Sequence, residues 1–178
     1  MTNLEERRET AVAEPGGASL ARLAGKYLTF KLGAEEYGLG ILKVREIIGL
    51  LDITAVPRTP DYVRGVINLR GKVVPVVDLR VKFGLPEVET TEQTCIIVVD
   101  VRQGGRTIQM GVMVDQVSEV RDLPLDALEP APEFGLTVDT SFMLGMGKVE
   151  QNVLMLLDVD RVLSSGELDE VGALTGSA

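Results

Sequence analysis

The chain has 178 residues, 45% of them hydrophobic, with no histidine, one cysteine and a net charge of −9. That length makes one ordinary domain or two very small ones, and the absence of histidine removes Ser-His-Asp and Cys-His catalysis along with the commonest metal ligand. The acidic balance argues against a nucleic-acid surface, which needs a basic stripe.

No apolar run approaches the roughly 18 residues of a membrane span. The charged start MTNLEERRETAVAEPGG lacks the apolar block of a signal peptide. The lone Cys95 forms no internal disulfide and fits a reducing compartment. The expectation is a cytoplasmic protein without metal or cofactor. Carboxylate-only catalysis stays open; it needs two carboxylates facing a pocket at roughly 5–9.5 Å.

Residues 1–25 are polar, Ala/Gly-rich and aperiodic, and read as a disordered tail. Tyr27 to Leu32 alternates as a strand, Gly33 to Glu36 turns, and Tyr37 to Ile41 returns. Ile41 to Val44 fits a helical face or a turn; the reading adopted is one turn at Leu42-Lys43 followed by a strand. Short helical pieces are expected at Pro60 to Arg64, Leu79 to Phe83 and Asp160 to Leu163.

The stretch GVINLRGKVVPVVDLR, residues 65–80, superficially resembles a phosphate-binding loop. Five residues separate Gly65 from Gly71, Val73 follows Lys72, and a strand-like run follows instead of a helix start. Spacing, chemistry and context all fail the P-loop pattern. The alternative is a β-hairpin with Arg70 at its tip. The acidic GLPEVETTEQ, 84–93, reads as a linker. Cys95 to Val101 is a β-branched run, Gln103 to Arg106 turns, and Ile108 to Val114 returns. The end, GELDEVGALTGSA (166–178), reads as a short helix that frays.

The two halves repeat. YGLGILKVREI (37–47) aligns with MGVMVDQVSEV (110–120) at an offset of 73, and KVVPVVDLRVKF (72–83) with NVLMLLDVDRVL (152–163) at 80. Each unit holds about five short strands, and a closed barrel of that size removes exposed sheet edges. The predicted fold is therefore all-β: two tandem five-stranded Src-homology-3-like barrels packed on each other through a shared apolar seam. The expected division is a tail at 1–25, one barrel at 26–83, a linker at 84–93, a second barrel at 94–165 and a short C-terminal helix and tail at 166–178.

Charge divides unevenly. Residues 26–83 hold ten Lys/Arg against six Asp/Glu, and residues 92–163 hold five against twelve. A basic half and an acidic half can attract like chains or relatives head to tail. The repeats also differ at one polar spot. Glu46 falls on Glu119, but Arg70 falls on Glu150. Only the first unit can pair Glu46 with Arg70, a polar spot of the kind found in protein-binding surfaces. Other motifs resolve plainly. Asp158-Val159-Asp160 lacks the rest of a calcium loop, Gly38-Leu39-Gly40 lacks the third dinucleotide-loop glycine, and Cys95 reads as a small apolar residue on a strand.

EYGLGILKVREI, TPDYVRGVINLRGKVVPVVDLRVKFG, GVMVDQVSEV and PAPEF together resemble the CheW-like family of bacterial chemotaxis coupling proteins, from about Lys26 to Ser165. The resemblance implies two five-stranded barrels and no enzymatic activity. It implies an adaptor linking the cytoplasmic tips of methyl-accepting chemotaxis receptors to the regulatory domain of the histidine kinase CheA, in arrays beneath the membrane that further CheW copies can join. It places the receptor-facing groove at Val44, Glu46, Gly65, Arg70 and Val120, with Gly65 letting backbone approach closely. It places kinase contacts at Cys95, Ile97, Phe134 and Glu46. Glu129 departs from the family, which often has a basic residue just before PAPEF. A scaffold of the same family in a non-motility array is the neighbouring alternative; a carboxylate-dependent hydrolase on a double barrel is the alternative of a different class.

Overall fold

The computed structural model of the chain describes residues 20–131 and 141–174, the side chain of Gln103 excepted. Eleven strands dominate: β1 (Gly25–Leu32), β2 (Glu35–Gly40), β3 (Val44–Gly49), β4 (Val63–Leu69), β5 (Lys72–Asp78), β6 (Cys95–Gln103), β7 (Arg106–Val114), β8 (Gln116–Leu123), β9 (Leu128–Glu129), β10 (Met143–Val149) and β11 (Asn152–Leu157). Among the described residues the helices α1 (Leu79–Lys82) and α2 (Ser165–Ala173) accompany them, with 3-10 turns at Ile41–Lys43 and Leu125–Ala127. The turn expected at Leu42-Lys43 and the helices expected after Leu79 and near the C-terminus are present. Those expected at Pro60 to Arg64 and Asp160 to Leu163 are not: the first is a turn closed by the Val63 N–H on the Pro60 carbonyl, the second a turn closed by the Arg161 N–H on the Asp158 carbonyl.

The strands form two sheets, in the orders β8-β1-β2-β11-β10-β9 and β3-β6-β7-β5-β4. Both close on themselves by the same device. After β3 the chain swings round, and Thr54 and Val66 on β4 exchange backbone hydrogen bonds of 2.9 Å. After β8 the 3-10 turn carries the chain into β9, which pairs with β10. The fold is thus all-β with two closed sheets.

The division into contiguous barrels at 26–83 and 94–165 needs correction. Hairpin β1–β2, from the first repeat, sits between β8 and β11 of the second; hairpin β6–β7, from the second, sits between β3 and β5 of the first. Each barrel is completed by the other repeat's hairpin, through antiparallel β1–β8 and β3–β6 and parallel β2–β11 and β5–β7 pairings. Connection length explains this. A strand following β2 within its own unit would have to cross to the far side of β1, two strand spacings or ~10 Å away. The three-residue 3-10 turn after β2 covers only ~6 Å, and Asp115 alone joins β7 to β8.

Exchange also explains why the strands are apolar on both faces. On β6, Ile96 and Val98 point into the five-stranded barrel, whereas Ile97, Val99 and Val101 join a central cluster. The expected seam is this central cluster. Both sheets supply it, and Leu168 and Val171 of α2 add to it. Four of the seven aromatics stack in a row across it, Phe30, Tyr37, Phe83 and Phe142, with ring centroids 5.1–5.8 Å apart.

Candidate partner-binding surface

The hairpin β4–β5 turns on Arg70 and Gly71, at φ 55° and 87°. Positive φ at both central residues suits a tight hairpin and its strand twist. The Asn68 side-chain oxygen accepts the Gly71 N–H at 2.8 Å and fixes the turn. From this tip Arg70 reaches back to β3, where its Nη2 donates to Glu46 Oε1 at 2.6 Å. That hydrogen bond pushes the Arg70 pKa further up, so the guanidinium is always charged. The pair anticipated from the repeat comparison is formed. In the other barrel Glu119 instead bonds Arg121 at 2.8 Å.

Val44, Glu46 and Arg70 gather round one surface hollow with Leu42 and Leu69. Leu42, on the turn just before β3, was missed by sequence reasoning; a turn residue carries no periodicity, and only its alignment with Asp115 could have marked it. Val120 stands apart on β8 of the other sheet, 51% exposed. Its repeat equivalent on β3 is Ile47, 45% exposed.

Gly65 does not line the hollow. It lies at φ 140°, and a Cβ there would come within 2.1 Å of the Thr54 carbonyl oxygen. The close approach it permits is to its own chain, at the point where the barrel closes. Gly145, 80 residues on, does the same against the Glu129 carbonyl oxygen, where a Cβ would sit at 2.8 Å.

The expected kinase contacts separate. Cys95 begins β6 half-buried, between Gly49 of β3 and Val114 of β7, and burial pushes its thiol pKa up. Ile97 is 0% exposed in the central cluster. Its strand lies between two others and has no free edge, and the Ile97 side chain itself has no surface to offer a partner. Phe134 lies outside the described residues. Glu129 bonds Lys148 across the β9–β10 pair at 2.9 Å.

Charge is used mainly inside the molecule. Lys26–Asp122, Lys43–Asp160, Arg45–Asp100 and Arg80–Asp115 each pair a cation of the first repeat with an anion of the second. The uneven division of charge therefore serves the interlocked hairpins, and the head-to-tail attraction inferred from it loses that support. No group of residues able to hold a metal ion occurs among the described residues.

Two interlocked barrels, a salt-bridged hairpin tip and exposed apolar strand residues define a protein-binding module. A CheW-like domain model matches residues 26–167. The chain is 43% identical to the chemotaxis protein CheW of Klebsiella aerogenes over 158 residues, 86% of this chain and 93% of that one. It is 36% identical to that of Bacillus subtilis, over 78% of this chain and 86% of that one. The crystal structure of the scaffolding protein TtCheW from Thermoanaerobacter tengcongensis superposes with a TM-score of 0.71 at 33% identity, covering 81% of this chain and 95% of that one. The chain belongs to the CheW-like family of chemotaxis scaffolds, which are not enzymes.

Proposed function

We propose that the protein couples chemotaxis receptors to their histidine kinase by binding the helical tips of the receptors and the regulatory domain of CheA. The carrying observation is the Arg70–Glu46 pair on an exposed hairpin tip, beside half-exposed apolar residues of β3. A guanidinium among apolar side chains is the composition of an interface hot spot. A receptor tip is a hairpin of helices, which offers an apolar face with polar anchors.

In this reading Val44, Glu46 and Arg70 form the receptor face, Gly65 supports it through barrel closure, and Val120, on the other sheet, is assigned to receptor binding by resemblance alone. The kinase face lies near the half-buried start of β6 at Cys95, with Phe134 assigned by resemblance. The protein works in the cytoplasm and reaches receptor arrays through these contacts; no helix of the described residues is long and apolar enough to cross a membrane.

Calorimetric titration against a receptor-tip fragment and against the CheA regulatory domain tests this. Arg70→Glu should weaken receptor binding more than about tenfold, or ~1.4 kcal/mol, and leave kinase binding intact. The fold should survive, because Glu150 already occupies the equivalent turn at φ 56°. Equal receptor affinity for wild type and variant would refute the assignment. Binding to neither partner would point to a different chemosensory array.

A further inference from the structure

The geometry points to Leu42 as the apolar anchor of the receptor face, and to one such face per chain although the fold repeats. This inference rests on the receptor-coupling reading. Leu42 is 94% exposed, more than any other large hydrophobic residue described. One exposed leucine is ordinary on a protein surface; three observations set this one apart.

It lines the same hollow as Val44, Glu46, Leu69 and Arg70. It is also held rigidly in solvent. The Lys43 ammonium bonds both carboxylate oxygens of Asp160 at 2.9 Å, and the Val44 N–H closes the turn on the Ile41 carbonyl. A fixed backbone leaves only the leucine's own rotamers to be ordered on binding.

The third observation is the comparison of repeats. At the offset of 73, Leu42 falls on Asp115, whose carboxylate turns inward to accept the Gly33 N–H at 2.7 Å and Arg80 Nη1 at 2.5 Å. Arg70 falls on Glu150. The second barrel keeps the equivalents Glu119 and Val120 but has no apolar knob, and its Glu119 pairs with Arg121 of its own strand because the hairpin tip carries Glu150 and no guanidinium. The two features diverge together, and both belong to the same hollow.

The occupant that fits is one α-helix of a receptor tip, seating Leu42 between apolar side chains and offering Arg70 a carboxylate or a free carbonyl. Arg70 bonds Glu46 through Nη2, and a guanidinium has five donors, so the pair need not break.

The test is calorimetry of the full chain with a soluble helical-hairpin fragment of a receptor signalling tip. Leu42→Asp copies the second barrel and should weaken binding at least tenfold with an unchanged melting temperature. Leu42→Met should bind within about threefold of wild type, and wild type should titrate at one fragment per chain. Wild-type affinity in Leu42→Asp, with Arg70→Glu still weakened, would overturn the anchor and leave the coupling reading standing. Loss of affinity in neither variant, or no binding by wild type, would overturn both. Two fragments per chain would overturn the single face.

Discussion

Two residues on β4–β5 divide the work of the first repeat between fold and surface. Gly65 is confined by backbone on its own chain, so the cost of a side chain there is steric. Gly65→Ala should destabilise the protein by about 3 kcal/mol or more, from strain plus overpacking, read as a fall in melting temperature. Gly145→Ala should cost less, because its clash is milder and Gly145 has no positive φ. Arg70, by contrast, is held only by its exposed ion pair with Glu46, a kind of contact that contributes little to stability, so its substitution should be felt mainly by a partner. Asp78 is different again. It caps α1 by accepting the Arg80 N–H at 3.0 Å and is almost wholly buried. Burial pushes its carboxyl above the ordinary 3.8, outweighing Arg64 and the backbone amides of Arg80 and Val81. With the folded value raised, the group's contribution is full below the unfolded value and is lost as pH rises through the folded one. Asp78→Asn keeps a capping side chain and removes that loss. The melting temperature of Asp78→Asn minus that of wild type should therefore become more positive between about pH 3 and pH 7; a constant difference would rule out the desolvation account.

At the scale of elements, the hairpins were legible because their signals are local. The alternating Tyr27 to Leu32 before Gly33-Ala34 and the β-branched Cys95 to Val101 before Gly104-Gly105 specify strand, turn, strand with no reference to the rest of the chain. Periodicity does not say which strand a hairpin pairs with, so the exchange was missed, although the short connections at 41–43 and at Asp115 already forbade the contiguous arrangement. The same blindness misplaced Ile97. The apolar run CIIVV marks a stretch of strand buried on both faces, which argues against the surface role for Ile97 that resemblance alone had carried over. The Arg70–Glu46 pair was legible for the opposite reason: where a fold repeats, shared residues describe the scaffold and unshared ones stand out. The exchanged hairpins are latched similarly in both barrels with the charges reversed. Arg80 after β5 meets Asp115 before β8, and Asp160 after β11 meets Lys43 before β3.

For the whole molecule, neither half is a folding unit. A fragment ending within 84–93 carries β1–β5 without β6–β7 or β8–β11, so one sheet lacks its middle and the other lacks most of its strands. Residues 20–88 alone should show no dispersed amide spectrum, and adding residues 89–178 in equimolar amount should restore it. Native dispersion from the first fragment by itself would show that the contiguous barrel can form after all. The linker is nonetheless held, since Arg64 bonds both Asp78 and Glu87 and Arg80 Nε donates to the Pro86 carbonyl.

The pairing of β2 with β11 joins Glu36 to Leu154. During synthesis, the N-terminal hairpin thus emerges from the ribosome more than a hundred residues ahead of its last partner. It must wait, exposed, until β11 has been made, since long-range pairing brings no gain before its loop is closed. At some 5–20 residues per second, that interval lasts roughly 6 to 24 s. Strand edges left unpaired for that long invite aggregation, and the stability of the finished scaffold gives no protection during it.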